Sequence, residues 1–207
     1  ASMRFKDVVG QYKVKGSLAD MVSASRLSHA LLFLGKEGVG ALPLALAFAQ
    51  YVVCENSIGE DACGQCAACK KASEYMHPDI HFAYPVIPKK SGDKPVSADY
   101  IKEWRKFVNN YPYGNAFDWL QSLGAENKQG NITVEECNDI IRKLSLKSYE
   151  SEYKILVLWM PEYLGKEGNK LLKLIEEPPA KTLFIFVAES EEQVLPTILS
   201  RTQLVKI

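Results

Sequence analysis

"LLFLGKEGVGALPLALAFAQ" (residues 31–50) is the stretch whose reading decides the fold. A short apolar strand runs into a glycine-rich turn and then into an apolar helix. A phosphate-cradling loop of the GxxxxGK[ST] type has this layout. Gly35 and Gly40 stand at the required spacing, with Gly38 between them. Ala41 and Leu42 occupy the positions where such a loop carries lysine and then serine or threonine. Alone, the stretch fits a disabled ATP site, an unusual active one, or a strand-turn-helix without a ligand.

Outward from it, five segments are short, apolar and rich in β-branched or aromatic residues, as buried strands are. They are "ALLFLG" (30–35), "IHFAYPV" (80–86), "YKILVLWM" (153–160), "TLFIFVAE" (182–189) and "QLVKI" (203–207). Helical patterns cover 16–25, 41–53, 64–76, 133–147 and 165–177. The fourth opens with Thr133 as N-cap and Glu136 three residues later, a capping box. The fifth stops before Pro178-Pro179, which cannot continue a helix. Strands alternating with helices, without hairpin signals, predict an α/β fold with a mostly parallel, doubly wound sheet.

Residues 82–130 break this rhythm. A polar loop from Pro85 to Pro95 precedes helical patterns at 98–109 and 115–123. Nine of the chain's 21 aromatic residues fall here, among them Trp104, Phe107, Tyr111, Tyr113, Phe117 and Trp119. With Lys102, Arg105 and Lys106 interleaved, they are compatible with a stacking surface for single-stranded nucleic acid. The preferred expectation is a helical insertion whose aromatics form a small core of its own.

The 207 residues suffice for one sizeable domain. At 47% hydrophobic and 24% charged, with zero formal net charge, the composition gives no case for a nucleic-acid-coating protein. Residues 1–36 hold six Lys/Arg against two acids, which a solvated face explains as well as a binding patch. No apolar run reaches the roughly 18 residues that span a bilayer, so no membrane partner and a cytoplasmic location are expected. Ala1-Ser2 ahead of Met3 read as a cloning remnant, and the abrupt end on "TQLVKI" predicts a longer protein.

Cys54, Cys63, Cys66 and Cys69 follow the spacing C-x8-C-x2-C-x2-C within a module at 54–76. Structural zinc takes four tetrahedral ligands, and Cys-x2-Cys steps bring consecutive sulfurs to one ion. Lys70 and Lys71 offset the negative charge of a tetrathiolate. Such a closed site is structural, without an open position for chemistry. A redox CxxC pair would explain only two thiols. His77 and His81 are nearby substitutes that four sulfurs make unnecessary, and Cys137 reads as an inert core thiol.

"FKDVVGQ" (5–11), "LSHALLFLG" (27–35), the cysteine module, "HPDI" (77–80), "LLKLIEEPP" (171–179) and "LPTILSRT" (195–202) occur in that order. Together they resemble the N-terminal AAA+ module of bacterial clamp-loader subunits, the gamma/tau and delta-prime subunits of DNA polymerase III. The likeness spans residues 1–207 apart from the insertion. It implies a P-loop-type AAA+ sheet, with lid and C-terminal collar domains expected outside this chain.

The departures from the family bear on the subunit. In its ATP-binding members the loop lysine holds the β/γ-phosphates and the adjacent hydroxyl ligates magnesium. Ala41 and Leu42 do neither. Trp159 and Met160 stand where the family has its acidic Walker B pair, and Glu162 comes two residues late. Each lost charge-assisted bond is worth roughly 1.5–3 kcal/mol. Three losses cost more than about a thousandfold in affinity. The resemblance therefore implies delta-prime, the member that binds neither ATP nor Mg2+. In the family its remaining contribution is the arginine of the "SRC" motif, matched by Ser200-Arg201-Thr202. Arg201 would act as a finger in trans on the γ-phosphate held by a gamma/tau neighbour. The implied partners are the gamma/tau and delta subunits, and indirectly the sliding clamp and primer-template DNA. Glu189 and Ser190 match the sensor-1 position and are expected to be structural. Val8, Val9 and Gly10 match an adenine-contacting segment and are expected to survive as packing residues. His29 reads as a core or capping histidine, and Asp79 as a local cap at the second strand. Two alternatives are a gamma/tau-like subunit with residual ATPase, using Lys36 or Lys166 as surrogate, and a zinc-dependent nucleic-acid-binding module.

Overall fold

The computed structural model describes residues 4–207. Residues 1–3, including the Ala1-Ser2 pair, lie outside the described residues. Five strands form one sheet in the order β2-β3-β4-β1-β5, with every pairing parallel. They are β1 (Ala30–Leu34), β2 (Ile80–Ala83), β3 (Lys154–Trp159), β4 (Thr182–Ala188) and β5 (Gln203–Lys206). Each predicted strand is present and slightly shorter than predicted. The largest loss is in β2, which leaves the sheet after Ala83. Tyr84 donates its N–H to Ser97 Oγ at 3.0 Å, and Pro85 has no N–H to offer a ladder.

The central strands are apolar on both sides because both faces are covered. Leu31, Phe33, Val157, Trp159, Ile185 and Val187 face one core layer. Over it lie α1 (Tyr12–Ser23), α2 (Ala41–Val53), α3 (Ala67–Ser73), α4 (Ile101–Asn110) and α5 (Ala116–Ser122). The alternate residues Leu32, Leu156, Leu158, Phe184 and Phe186 face the other. That layer is closed by α6 (Val134–Leu144), α7 (Leu172–Glu176) and α8 (Pro196–Leu199). The period-2 alternation of strand side chains produces this division.

Several elements depart from expectation. The first helix starts at Tyr12 rather than residue 16, with Gly16 inside it, after Gln11 in a left-handed conformation. The third is shorter than 64–76, since Cys66 caps its start and its thiol accepts from the Cys69 N–H. The segment 165–177 divides into a 3-10 stretch, Lys166–Leu171, and α7. Thr133 Oγ1 accepts from the Glu136 N–H at 3.1 Å, but the capping box is only half made. The Glu136 carboxylate turns inward to accept from Ser97 N at 2.6 Å and from the Ser97 hydroxyl. Burial pushes that carboxyl up from its ordinary value, against those hydrogen bonds.

The insertion has no separate core. Tyr84 stacks on Trp104 with centroids 4.3 Å apart, and Trp104 meets Trp119 edge-on at 5.5 Å and Trp159 of β3 at 5.6 Å. Through Trp159 the cluster is continuous with the layer over β1 and β4. Trp104 and Trp119 are fully buried, so their faces are closed to nucleobases. Paired backbone bonds between Val86 and Asn131, each 2.9 Å, close the base of the insertion.

Asp79 does more than cap β2. Its buried carboxylate accepts from the backbone N–H groups of Tyr149 (2.6 Å), Glu150 (2.9 Å) and Ser151 (2.7 Å). It thereby fixes the turn that leads into β3. Burial raises its pKa, but these three donors outweigh it and hold the carboxyl below the usual range. A depressed folded-state value contributes stability above the unfolded value of about 3.9, lost as pH falls through the folded one. Asp79→Ala, which leaves three N–H groups unpaired, should cost about 3 kcal/mol in urea denaturation at neutral pH. The difference from the unmodified protein should shrink on acidification below about pH 4.

Candidate functional site

Ligands of open α/β sheets bind outside the carboxyl ends of the strands. Here the glycine loop leaves the end of β1 beside the end of β4. Gly35 N–H donates to Ala188 O at 3.1 Å. A side chain at Gly35 would meet Val39 Cγ2 at 2.8 Å and Ile207 Cβ at 3.0 Å, so only glycine fits. Gly38 and Gly40 take φ of 83° and 99°, and Gly40 is the N-cap of α2. The backbone thus has the turn of a phosphate loop. Its side chains do not: Ala41 and Leu42 are buried in the core, as are Trp159 at the end of β3 and Met160 after it.

The loop's cavity measures ≈ 20 Å³. One water needs about 10–15 Å³ on this measure, so the space beneath the loop suits about one water. Tyr113 of the insertion closes it. A Cβ on Gly40 would lie 3.0 Å from Tyr113 Cε2, and the Tyr113 hydroxyl accepts from Val9 N at 3.0 Å. The ring therefore bridges the glycine loop and the "FKDVVGQ" segment. In that segment Val8 is buried, whereas Val9 is 78% exposed and does not pack as expected. His29 is exposed, not a core residue. Lys36 lines the loop cavity and Lys166 does not.

Glu162 is engaged structurally. Its Oε2 accepts from Glu189 N at 2.8 Å and Ser190 N at 3.0 Å, tying the turn after β3 to the end of β4. Burial, then Glu162 and Glu37, push the Glu189 carboxyl up. Glu37 in turn accepts from Asn115 Nδ2 at 2.5 Å.

The four predicted cysteines come together at the far end of α2. Their sulfurs all lie within 4.8 Å of one another, a set able to hold one metal ion. Seven backbone N–H groups donate to them at 3.3–3.5 Å, and every one of the four accepts at least one. Such donors stabilise thiolates, the form that ligates metal. At Cys63 the N–H groups of Gln65 and Cys66 draw the pKa down, whereas burial pushes Cys69 up. His77 is not gathered with the sulfurs, and its Nδ1 accepts from Asp79 N at 3.0 Å. Burial lowers His81 to about 4 and raises Cys137 to about 11, the latter an inert core thiol as expected.

Arg201 follows α8, in the turn before β5. Its Nε donates to the Glu176 carboxylate at the end of α7, and Nη1 donates to Thr197 O at 2.8 Å and Ser200 Oγ at 3.1 Å. The side chain remains 33% exposed.

A family described as "DNA polymerase III, delta subunit" matches residues 10–207. The Bacillus subtilis DNA polymerase III subunit tau is 27% identical over 97% of this chain and 28% of its own length. The delta-prime subunit of the same organism is also 27% identical, over 93% of this chain and 46% of its own. Identity thus does not separate the two kinds of subunit, and the chain spans less than half of either relative. The Thermotoga maritima RuvB Holliday junction branch migration motor shares the fold, at a TM-score of 0.52 and 13% identity, over 99% of this chain and 47% of that one.

Sequence reading singled out the loop, the cysteines and Arg201, and named Tyr113 only as one of the insertion's aromatics. No local pattern singles out that tyrosine among its aromatic neighbours, and only the tertiary fold carries residue 113 to residue 40. Tyr113→Ala removes the acceptor of the Val9 N–H and the ring over Gly40. It should lower unfolding free energy by about 1–3 kcal/mol in chemical denaturation. Unchanged stability would mean that the ring does not hold the two segments together.

Proposed function

The chain belongs to the family described as DNA polymerase III, delta subunit, as a clamp-loader AAA+ subunit, and we propose that it acts as the delta-prime member of the loader. In this reading it binds no ATP, serves as a stator, and supplies an arginine finger to a neighbouring gamma/tau ATPase. The loader, completed by the delta subunit, places the sliding clamp on primed DNA in the cytoplasm.

The observation that carries the reading is the glycine-loop cavity of ≈ 20 Å³, closed by Tyr113. The loop keeps its turn but has neither the lysine nor the hydroxyl that would hold phosphates and magnesium. Glu162 follows the Walker B positions by two residues, and one of its carboxylate oxygens is taken by the backbone N–H groups of Glu189 and Ser190. What such a subunit offers its neighbour is a guanidinium. During phosphoryl transfer, charge develops on the γ-phosphate oxygens, and a planar, permanently charged fork stabilises it. Arg201, partly exposed in a surface turn, has the chemistry and the accessibility for this. Ser200 assists by accepting from Nη1.

In the same reading the cysteine cluster holds a structural Zn2+. Four sulfur ligands complete a tetrahedral shell, and the surrounding N–H donors suit the charge of a tetrathiolate. The ion would fix the chain after α2 to the start of α3.

Measurements of hydrolysis rate, nucleotide binding and metal content test these claims. Arg201→Ala should leave assembly intact while hydrolysis at the facing site falls by on the order of 10³-fold. Titration of an ATP analogue into the isolated chain should give no binding heat. An unchanged loader rate would remove the finger, and tight analogue binding would favour the gamma/tau-like reading. Elemental analysis of purified protein should give about one zinc per chain, and Cys69→Ser should lower both that ratio and the melting temperature. Folded protein essentially free of zinc would overturn the metal assignment.

A further inference from the structure

Resting on the arginine-finger reading, we propose that Glu176 is a positioning residue that sets the plane of the Arg201 guanidinium before a phosphate reaches it. A guanidinium has five N–H donors: one on Nε and two on each terminal nitrogen. Three of the five are engaged within this chain. Nε donates to the Glu176 carboxylate, and Nη1 donates to Thr197 O at 2.8 Å and to Ser200 Oγ at 3.1 Å. The two N–H groups of Nη2 are left for a ligand, on the one nitrogen of the three without a partner among the described residues.

These anchors come from two different elements. Thr197 and Ser200 belong to α8 and its C-cap, so they move with Arg201. Glu176 stands on α7, twenty-five residues earlier, and is the contact that fixes the side chain against the body of the domain. The Thr197 hydroxyl strengthens the link by donating to Asn169 Oδ1 at 2.8 Å, in the 3-10 stretch before α7. A long side chain otherwise free to rotate is thereby held in one orientation at the surface. A finger works by reaching the transferring phosphoryl group in a fixed geometry, and a displacement of about 1 Å can cost on the order of 10²-fold. Within "LLKLIEEPP", the glutamate that meets Arg201 of "LPTILSRT" is the first of the two before the prolines.

The test uses the loader assembled from the full-length protein with gamma/tau and delta. Glu176→Ala should lower kcat for ATP hydrolysis about tenfold while KM for ATP stays unchanged, because the neighbour binds the nucleotide. Glu176→Gln should recover most of the rate, since its amide oxygen still accepts from Nε–H. The double variant Glu176→Ala, Arg201→Ala should hydrolyse no more slowly than Arg201→Ala alone, since Glu176 acts only through the arginine. Glu176 is 47% exposed, and co-elution with unchanged melting temperature will establish that its variants assemble. A wild-type or faster rate for Glu176→Ala, or a further loss in the double variant, overturns the positioning role and leaves the finger standing. A wild-type rate for Arg201→Ala removes the finger and the positioning role together.

Discussion

The parallel seating of β1 between β4 and β5 is the constraint on which the rest depends. It brings three chain segments to one rim of the sheet: the glycine loop after β1, the Glu189-Ser190 turn after β4, and the end of β5. The Gly35 N–H reaches Ala188 O, and the Ile207 N–H reaches Leu34 O, at 3.1 and 2.9 Å. A Cβ at Gly35 would collide with Ile207 and Val39. The glycine at the start of the loop is therefore demanded by the sheet itself, with or without a phosphate to cradle. Gly40 is demanded by a positive φ and by the Tyr113 ring. A nucleotide loop can keep its glycines after losing its lysine, because packing alone selects them.

The same economy explains how a phosphate loop remains stable with apolar residues in its polar positions. Ala41 and Leu42 open α2 inside the core, and Trp159 joins the aromatic cluster that the insertion lays over β3. A lysine or serine in those places would be a polar group needing a partner in a space of about one water. Ala41, Leu42, Trp159 and Met160 are thus part of the ordinary core, with the Tyr113 ring against Gly40. Apolar side chains in buried positions agree with their surroundings, as a stable structure requires.

Much of this was legible beforehand. The five strands, their parallel pairing, α2 to the residue, and the convergence of four cysteines all follow from short-range pattern and spacing. The parts that were not legible share one physical origin, contacts between residues far apart in sequence. Glu136 has the spacing of a capping box, yet a serine 39 residues away takes its carboxylate. Asp79 reads as a local cap, yet its partners lie 70 to 72 residues on. The insertion's aromatics suggest a separate core until Trp159 is seen among them. Short-range pattern identifies which residues want burial or a hydrogen bond, while tertiary packing decides which partner supplies it.

Helix α2 joins the two candidate sites, and its ends are held by different means. At its N-terminus, Ala41 and Leu42 are buried and the Tyr113 ring lies against Gly40. At its C-terminus, Cys54 enters the thiol cluster, where its sulfur accepts from Asn56 and Cys63 N–H groups. The cluster in turn reaches back to the chain's first described residue. Arg4 Nη1 donates to Cys63 O at 3.2 Å, and Asp61 beside it accepts from Phe5 and Lys6 N–H groups. Phe5 then packs on Phe48 and Tyr51 of α2 itself. The "FKDVVGQ" segment is thus fastened at Phe5 through the cysteine module and at Val9 through Tyr113, on either side of the buried Val8. The segment is thus held by protein contacts at both ends.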